Sequence, residues 1–186
     1  RKFNTATGIV TTIAGSSRAG YTGDGGNALS AMLSAPSAIA IDAGNSILYV
    51  AEQGNNCIRK IVLATNVITT IAGNGTAGFS GDGGAAISAQ LSGTIGVAGD
   101  RTGNLYILEA SSRVRKVSPA GMISTVAGNG KAGFSGDGGP ATSAQLGSFN
   151  ECNSYCGGLA VDDAGNLFIA DSGNGRVRKV DLTVTI

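Results

Sequence analysis

The chain has 186 residues, 42% of them apolar, which is enough to bury a core and too hydrophobic for a disordered segment. Thirteen basic and 12 acidic side chains leave a net charge of +1, so no global field draws the chain to DNA, RNA or an anionic membrane. Histidine is absent, which excludes Ser-His-Asp and Cys-His catalysis, and no apolar run approaches the length of a membrane span.

One stretch occurs three times. Residues 15–33 read GSSRAGYTGDGGNALSAML, residues 73–91 read GNGTAGFSGDGGAAISAQL, and residues 128–146 read GNGKAGFSGDGGPATSAQL. The Asp of each GDGG falls at Asp24, Asp82 and Asp137, in steps of 58 and 55 residues. A period in this range marks propeller or solenoid architecture, where one repeat cannot bury its apolar face alone.

In chain order, residues 9–14 predict an outer strand with no blade before it. Four short apolar runs follow at 37–42, 47–52, 57–62 and 67–72, then four at 95–100, 105–109, 113–117 and 122–127, then three at 158–162, 167–171 and 176–180. These are strand lengths rich in β-branched residues, bounded by Gly, Asn and Asp turns. Four strands per unit describe a propeller blade. The first strand of each unit is built from small residues (Ala38 and Ala40, Gly96 and Ala98, Gly158 and Ala160), as suits the strand nearest an axis. Residues 85–91 and 141–146 predict a single helical turn before the next blade. The fold class is therefore all-β, with three blades of four-stranded antiparallel meander. It divides into 1–36 (outer strand and loop), 37–94 (blade one), 95–157 (blade two with an insert) and 158–186 (blade three without its outer strand).

The third repeat carries an insertion: Leu146 and Asp162 are 16 residues apart, where the matching pairs in the other repeats are 9 apart. Cys152 and Cys156 lie in it, four residues apart, and read as a local disulfide in an oxidising compartment, or else as two free thiols. Two cysteines without histidine make a poor zinc site. Cys57 stands where Arg113 and Arg176 stand in the other repeats and reads as a buried structural thiol. Asn74, followed by Gly75 and Thr76, matches an N-glycan acceptor.

The stretches GNLYI (103–107), GNLFIADSGNGRVRKV (165–180) and VAGNGKAGFSGDGGPATSAQL (126–146) resemble the NHL-repeat β-propellers, and the resemblance covers essentially the whole chain. Departures are the cysteine insertion, Cys57 in place of a basic residue, and a second unit one residue short at EASSR (109–113). The resemblance implies blades that assemble into a ring. Lys2 aligns with Lys179, a separation of 177 residues or three periods, and Ile186 with Val67, so blade three is expected to lack its outer strand. Three blades cannot close a ring. Completion is expected from more of the same polypeptide, from another copy, or by stacking into an open superhelix. Arg1 falls inside a repeat, so the chain reads as a piece of something longer or as a processed chain.

The GDGG loops lack the Lys-Ser/Thr ending of a phosphate loop, and each offers one carboxylate where calcium needs several. Asp capping a glycine-permitted turn is the simpler reading. A meander places these loops on the face that carries the turn between strands two and three. That face would gather Tyr21, Phe79 and Phe134 with Asp24, Asp82 and Asp137, joined by Glu52, Glu109 and Asp171. This is either a contact rim for a protein or glycan, or a set of aromatic wedges between blades. The pairs Arg59/Lys60, Arg115/Lys116 and Arg178/Lys179 recur once per blade, and one of each is expected to pair with a carboxylate such as Glu52 or Asp171 on the neighbouring blade. Relatives sharing the fold bind RNA through a basic face, but the neutral balance argues against this here.

The expectation is a non-enzymatic extracellular or cell-surface module, from an adhesion or fibre-forming protein, without cofactor, metal, nucleic acid or membrane insertion. Its partners would be further copies or further NHL repeats, and also glycan. The alternatives are a hydrolase or lyase using rim carboxylates, and an intracellular scaffold or RNA-binding module.

Overall fold

Strand two of every blade starts from a turn anchored by one aspartate. Asp42 accepts the backbone N–H of Ser46 (2.7 Å) and Ile47 (2.6 Å), Asp100 those of Thr102 and Asn104 (2.9 Å each), and Asp162 those of Ala164 (3.0 Å) and Asn166 (2.8 Å). These bonds favour the ionised form and hold all three carboxyls below the usual carboxylate range, Asp42 mainly through the Ile47 N–H, Asp162 mainly through the Asn166 side-chain amide, and Asp100, against the opposing effect of burial, through Asn104 and Thr102. Blades two and three share one register across this turn, with Gly99 opposite Leu105 and Val161 opposite Leu167, and the turn of blade one is one residue longer, with Ile41 opposite Leu48.

The computed structural model describes residues 1–149 and 157–182. Blade one is the antiparallel meander β3 (Pro36–Ile41), β4 (Ile47–Glu52), β5 (Cys57–Val62) and β6 (Val67–Ala72). Blade two repeats it with β7 (Thr94–Gly99), β8 (Leu105–Glu109), β9 (Arg113–Val117) and β10 (Ile123–Ala127). Blade three is the three-stranded sheet β11 (Leu159–Val161), β12 (Asn166–Asp171) and β13 (Arg176–Asp181). A two-stranded piece, β1 (Lys2–Phe3) and β2 (Val10–Thr11), precedes blade one. The outer strand predicted over 9–14 is thus paired over two residues. No α-helix occurs among the described residues; single 3-10 turns stand at Ala28–Ser30, Ala86–Ser88 and Ala141–Ser143, one before each blade.

Apolar side chains fill the spaces between blades. Ala51 and Ile58 of blade one meet Val97, Ile107 and Leu91 across the first junction, and Leu108 and Val114 meet Leu167 and Ile169 across the second. Leu91 is fully buried there, a burial that contributes about 2 kcal/mol. The junctions are also tied by hydrogen bonds, since Ser37 Oγ donates to the Thr94 carbonyl at 2.6 Å and Gly93 N–H to Asn56 Oδ1 at 2.9 Å.

The first two GDGG loops each close the outer edge of the blade that follows them. Gly25 N–H donates to Ile68 O (2.8 Å) and Ile68 N–H to Gly26 O (3.0 Å); Gly83 and Ile123, then Ile123 and Gly84, repeat the pair at the same distances. The outer strands are therefore not bare edges, the state in which a sheet recruits unwanted partners. The loop needs left-handed backbone: Gly81 sits at φ +88° and Gly83 at φ +79°. A Cβ on Gly81 would lie 2.9 Å from Ala89 Cα, whereas one on Gly83 would meet nothing within 4 Å. Gly83→Ala should cost about 1 kcal/mol through backbone strain alone, and Gly81→Ala distinctly more, with urea unfolding as the measurement. Equal costs would contradict the close approach.

Candidate functional site

The rim is organised around an arginine in strand three of each blade. Arg59, Arg115 and Arg178 point from β5, β9 and β13 between two carboxylates, one at the end of strand two and one in the preceding GDGG loop. Arg59 lies 2.5 Å from Asp24 and 3.4 Å from Glu52. Arg115 lies 2.7 Å from Asp82 and 3.7 Å from Glu109, and Arg178 lies 2.5 Å from Asp137 and 3.4 Å from Asp171. Arg59, Arg115, Glu52, Glu109 and Asp171 are fully buried.

Further bonds complete each clamp. Arg115 donates to the Ser80 carbonyl at 2.9 Å, and Arg178 to the Ser135 carbonyl at 3.1 Å. The inner carboxylates accept backbone N–H groups, Glu52 from Ser34 (2.9 Å), Glu109 from Ser92 (3.1 Å) and Asp171 from Gly147 (2.7 Å). The loop carboxylates reach the outer strand: Asp24 accepts the Thr70 N–H at 3.0 Å, and Asp82 the Thr125 hydroxyl at 2.7 Å. One guanidinium thus joins the hairpin turn, the loop and the outer strand of a blade.

The aromatic side chains lie over the arginines. Phe79 has Arg113 at 3.9 Å and Arg115 at 4.9 Å from its ring centre, and Phe134 has Arg176 at 3.9 Å and Arg178 at 5.1 Å, distances of cation–π contact. Repeat one differs. Cys57 replaces the stacking arginine, only Arg59 stands over the ring of Tyr21 (5.3 Å), and the Tyr21 hydroxyl instead bonds the Thr70 hydroxyl at 2.8 Å. The Cys57 thiol is fully buried, and burial pushes it up to about 12, beyond any reactive range.

The structure thus brings Tyr21, Phe79, Phe134, Asp24, Asp82 and Asp137 onto one face with Glu52, Glu109 and Asp171, as the meander topology requires. Two particulars differ from expectation. The arginines pair with carboxylates of their own blade and of the loop entering it, because adjacent strands two and three bring those groups together. The aromatic rings stack on guanidinium groups of the blade that follows, which the wedge alternative did not foresee. Asn74 is exposed, with Oδ1 accepting the Thr76 N–H and Nδ2 donating to the Ser88 carbonyl. Cys152 and Cys156 lie outside the described residues. The expected pairing of one basic residue per blade with Glu52 or Asp171 is present, within the blade rather than between blades; what sequence reading missed is the second partner, the GDGG aspartate, although Arg59, Arg115 and Arg178 recur in step with Asp24, Asp82 and Asp137.

Comparison with known proteins agrees with this construction. Residues 153–180 match the family described as NHL repeat. The chain is 29% identical over 155 residues, 79% of its length, to Protein SUPPRESSOR OF QUENCHING 1, chloroplastic, of Arabidopsis thaliana, and 42% identical over 55 residues to NHL repeat-containing protein 2 of Gallus gallus. It spans 14% and 7% of those two proteins. Among solved structures it resembles an auxiliary nutrient binding protein from Bacteroides thetaiotaomicron (TM-score 0.57, 18% identity, 76% of this chain and 36% of that one). A protein of the same description from Bacteroides ovatus gives a TM-score of 0.55 at 20% identity, over 76% of this chain and 36% of that one. The fold and site define a β-propeller repeat module. Residues 153–180 carry an NHL repeat, and the two preceding units repeat its strand pattern. No helix among the described residues is long and apolar enough to cross a membrane.

Removing Arg115 strands the buried Glu109 carboxylate, so Arg115→Met should lower unfolding free energy by about 3 kcal/mol; a change within experimental error would mean that the clamp carries no stability. Burial pushes Glu109 up to about 7 from 4.5, against the opposing pull of Arg115. A raised carboxyl contributes stability that is complete below its unfolded value and is lost as pH rises through its folded value. Wild-type melting temperature should therefore fall between about pH 5 and about pH 8, and Glu109→Gln should shrink that fall. An identical pH profile in the variant would contradict the assignment.

Proposed function

We propose that this chain is a non-enzymatic structural and interaction module, formed of NHL blades from a larger extracellular surface, adhesion or fibre-forming protein. Copies associate by completing one another's blades. The observation that carries this is the engagement of the rim acids. Asp24, Asp82 and Asp137 are each committed to an arginine, and Glu52, Glu109 and Asp171 are buried beneath them. An acid–base enzyme needs a carboxylate of perturbed pKa open to a cleft. Glu109 has the perturbation but is fully buried, with the Ser92 N–H and Arg115 as its partners. The outward rim is left with the half-exposed rings of Tyr21, Phe79 and Phe134, held rigid from below, which suits contact with a protein or a glycan. The extracellular assignment is supported by the Cys152/Cys156 pair in the sequence. Light scattering of native protein across a concentration series, without reductant, tests the assembly. Molar masses that are multiples of the 18.3 kDa chain are expected, and a monomer throughout would contradict it.

A further inference from the structure

Blades one and two leave a cleft of about 520 Å³ between their outer halves. One wall is the face of blade one that carries Tyr49, Lys60 and Ile71. The other is formed by Leu105, Val117 and the turn 118–121, with Pro119 at its centre. Ile87, 48% exposed, also lines the space. A volume of this order, walled by apolar side chains with a few polar groups, has the make-up of a small-molecule site.

The polar groups have a definite character. Among the described residues, Lys60 is the one charged side chain that lines the cleft. Tyr49 and Lys60 are directly opposite each other on β4 and β5, so both stand on this face with Cβ atoms about 5 Å apart. Burial, and then the charge of Asp42, raise the Tyr49 hydroxyl above its ordinary range, which leaves it a neutral donor. Neither the Tyr49 hydroxyl nor the Lys60 ammonium has a hydrogen-bond or ion-pair partner among the described residues.

The next cleft treats the same pair differently. Between blades two and three, Tyr106 and Lys116 take the places of Tyr49 and Lys60. There the Tyr106 hydroxyl donates to Asp100 Oδ2 at 3.0 Å, and Asp100, Asp162 and Asp163 line the space with Lys116 and Arg101. In blade one the corresponding oxygen of Asp42 accepts the Ser46 hydroxyl at 3.0 Å, and Asp42 does not line the cleft. The second cleft supplies its own counter-charge. The first does not.

We propose that the cleft between blades one and two binds a small organic anion with an apolar body, of the aryl or alkyl monocarboxylate class. The carboxylate accepts from Lys60 Nζ and the Tyr49 hydroxyl, and the body lies against Ile71, Ile87, Leu105, Val117 and Pro119. One ammonium matches one negative charge, whereas a polyanion would set unmatched charge against an apolar wall. The cleft is built from two complete blades, so it does not depend on how copies assemble.

Titration of the chain with naphthoate, followed through amide chemical shifts, tests this. The shifts should saturate and centre on Ile71, Ile87, Leu105 and Ala120. Naphthamide, of similar shape without the charge, should bind about tenfold more weakly. Lys60→Met should weaken naphthoate about tenfold and erase its advantage over naphthamide, and Tyr49→Phe should weaken it about threefold. Ile87→Glu, at an exposed position where the fold is not at stake, sets a carboxylate in the cleft and should abolish naphthoate binding. Lys116→Met, the same change in the second cleft, should leave binding unaltered. Equal affinity for naphthoate and naphthamide would overturn recognition of the anion. Equal losses in the Lys60→Met and Lys116→Met chains would mean general attraction to surface charge and would overturn the site. Saturable shifts centred elsewhere, or no shifts, would overturn the cleft as the place of binding.

Discussion

A guanidinium taken out of water must find compensating charge and acceptors, and this requirement organises each repeat. Arg59 and Arg115 are fully buried, each placed between an inner carboxylate and a loop carboxylate. Isolated, either charge would be expensive to bury. Together they form a unit in which the strand-two end, the GDGG loop and the outer strand hold one another. A buried pair of this kind adds little net stability over an apolar replacement, but breaking it is costly, so it specifies an arrangement more than it strengthens one. Here the arrangement specified is that the loop leaving one blade docks on the edge of the next.

That docking converts a chain of separate meanders into a continuous array. Apolar packing between blades is non-directional, whereas the clamp and the paired bonds at Gly25 and Ile68, or Gly83 and Ile123, fix the register of loop on strand. The same commitment decides what the rim offers outward. Asp24, Asp82 and Asp137 are held by arginine, and the half-exposed rings of Phe79 and Phe134 rest on guanidinium groups. Blade one shows that the motif tolerates variation: with Cys57 in place of a stacking arginine, Tyr21 gains a hydroxyl contact to Thr70, although Arg59 Nε is left without a partner that Arg115 Nε finds in Asp82.

Much of the architecture is written in local pattern. The strands β4, β5, β6, β8 and β9 begin and end where alternation, β-branching and flanking Gly, Asn or Asp place them. The inner strands β3 and β7 start one residue earlier than their apolar runs, because Pro36 and Thr94 pair across a bulge with Glu52 and Glu109. The residues of the rim were also legible, since meander topology alone puts two sets of turns on one face. Their pairing was not. Asp24 lies 35 residues before Arg59, and nothing in the intervening sequence says that the loop folds back on the outer edge of the following blade. The contact is made by main-chain bonds of glycines, which leave no side-chain signature beyond the need for positive φ.

The GDGG loop and the outer strand behind it, joined by paired main-chain bonds, should open as one cooperative unit. Residue-resolved native-state hydrogen exchange tests this most directly, because amides that open together share one opening free energy. The amides of Gly25 and Ile68, and those of Gly83 and Ile123, should exchange with matching protection, close to that of the central strands. Loop amides exchanging at free-peptide rates while Ile68 and Ile123 stay protected would contradict it.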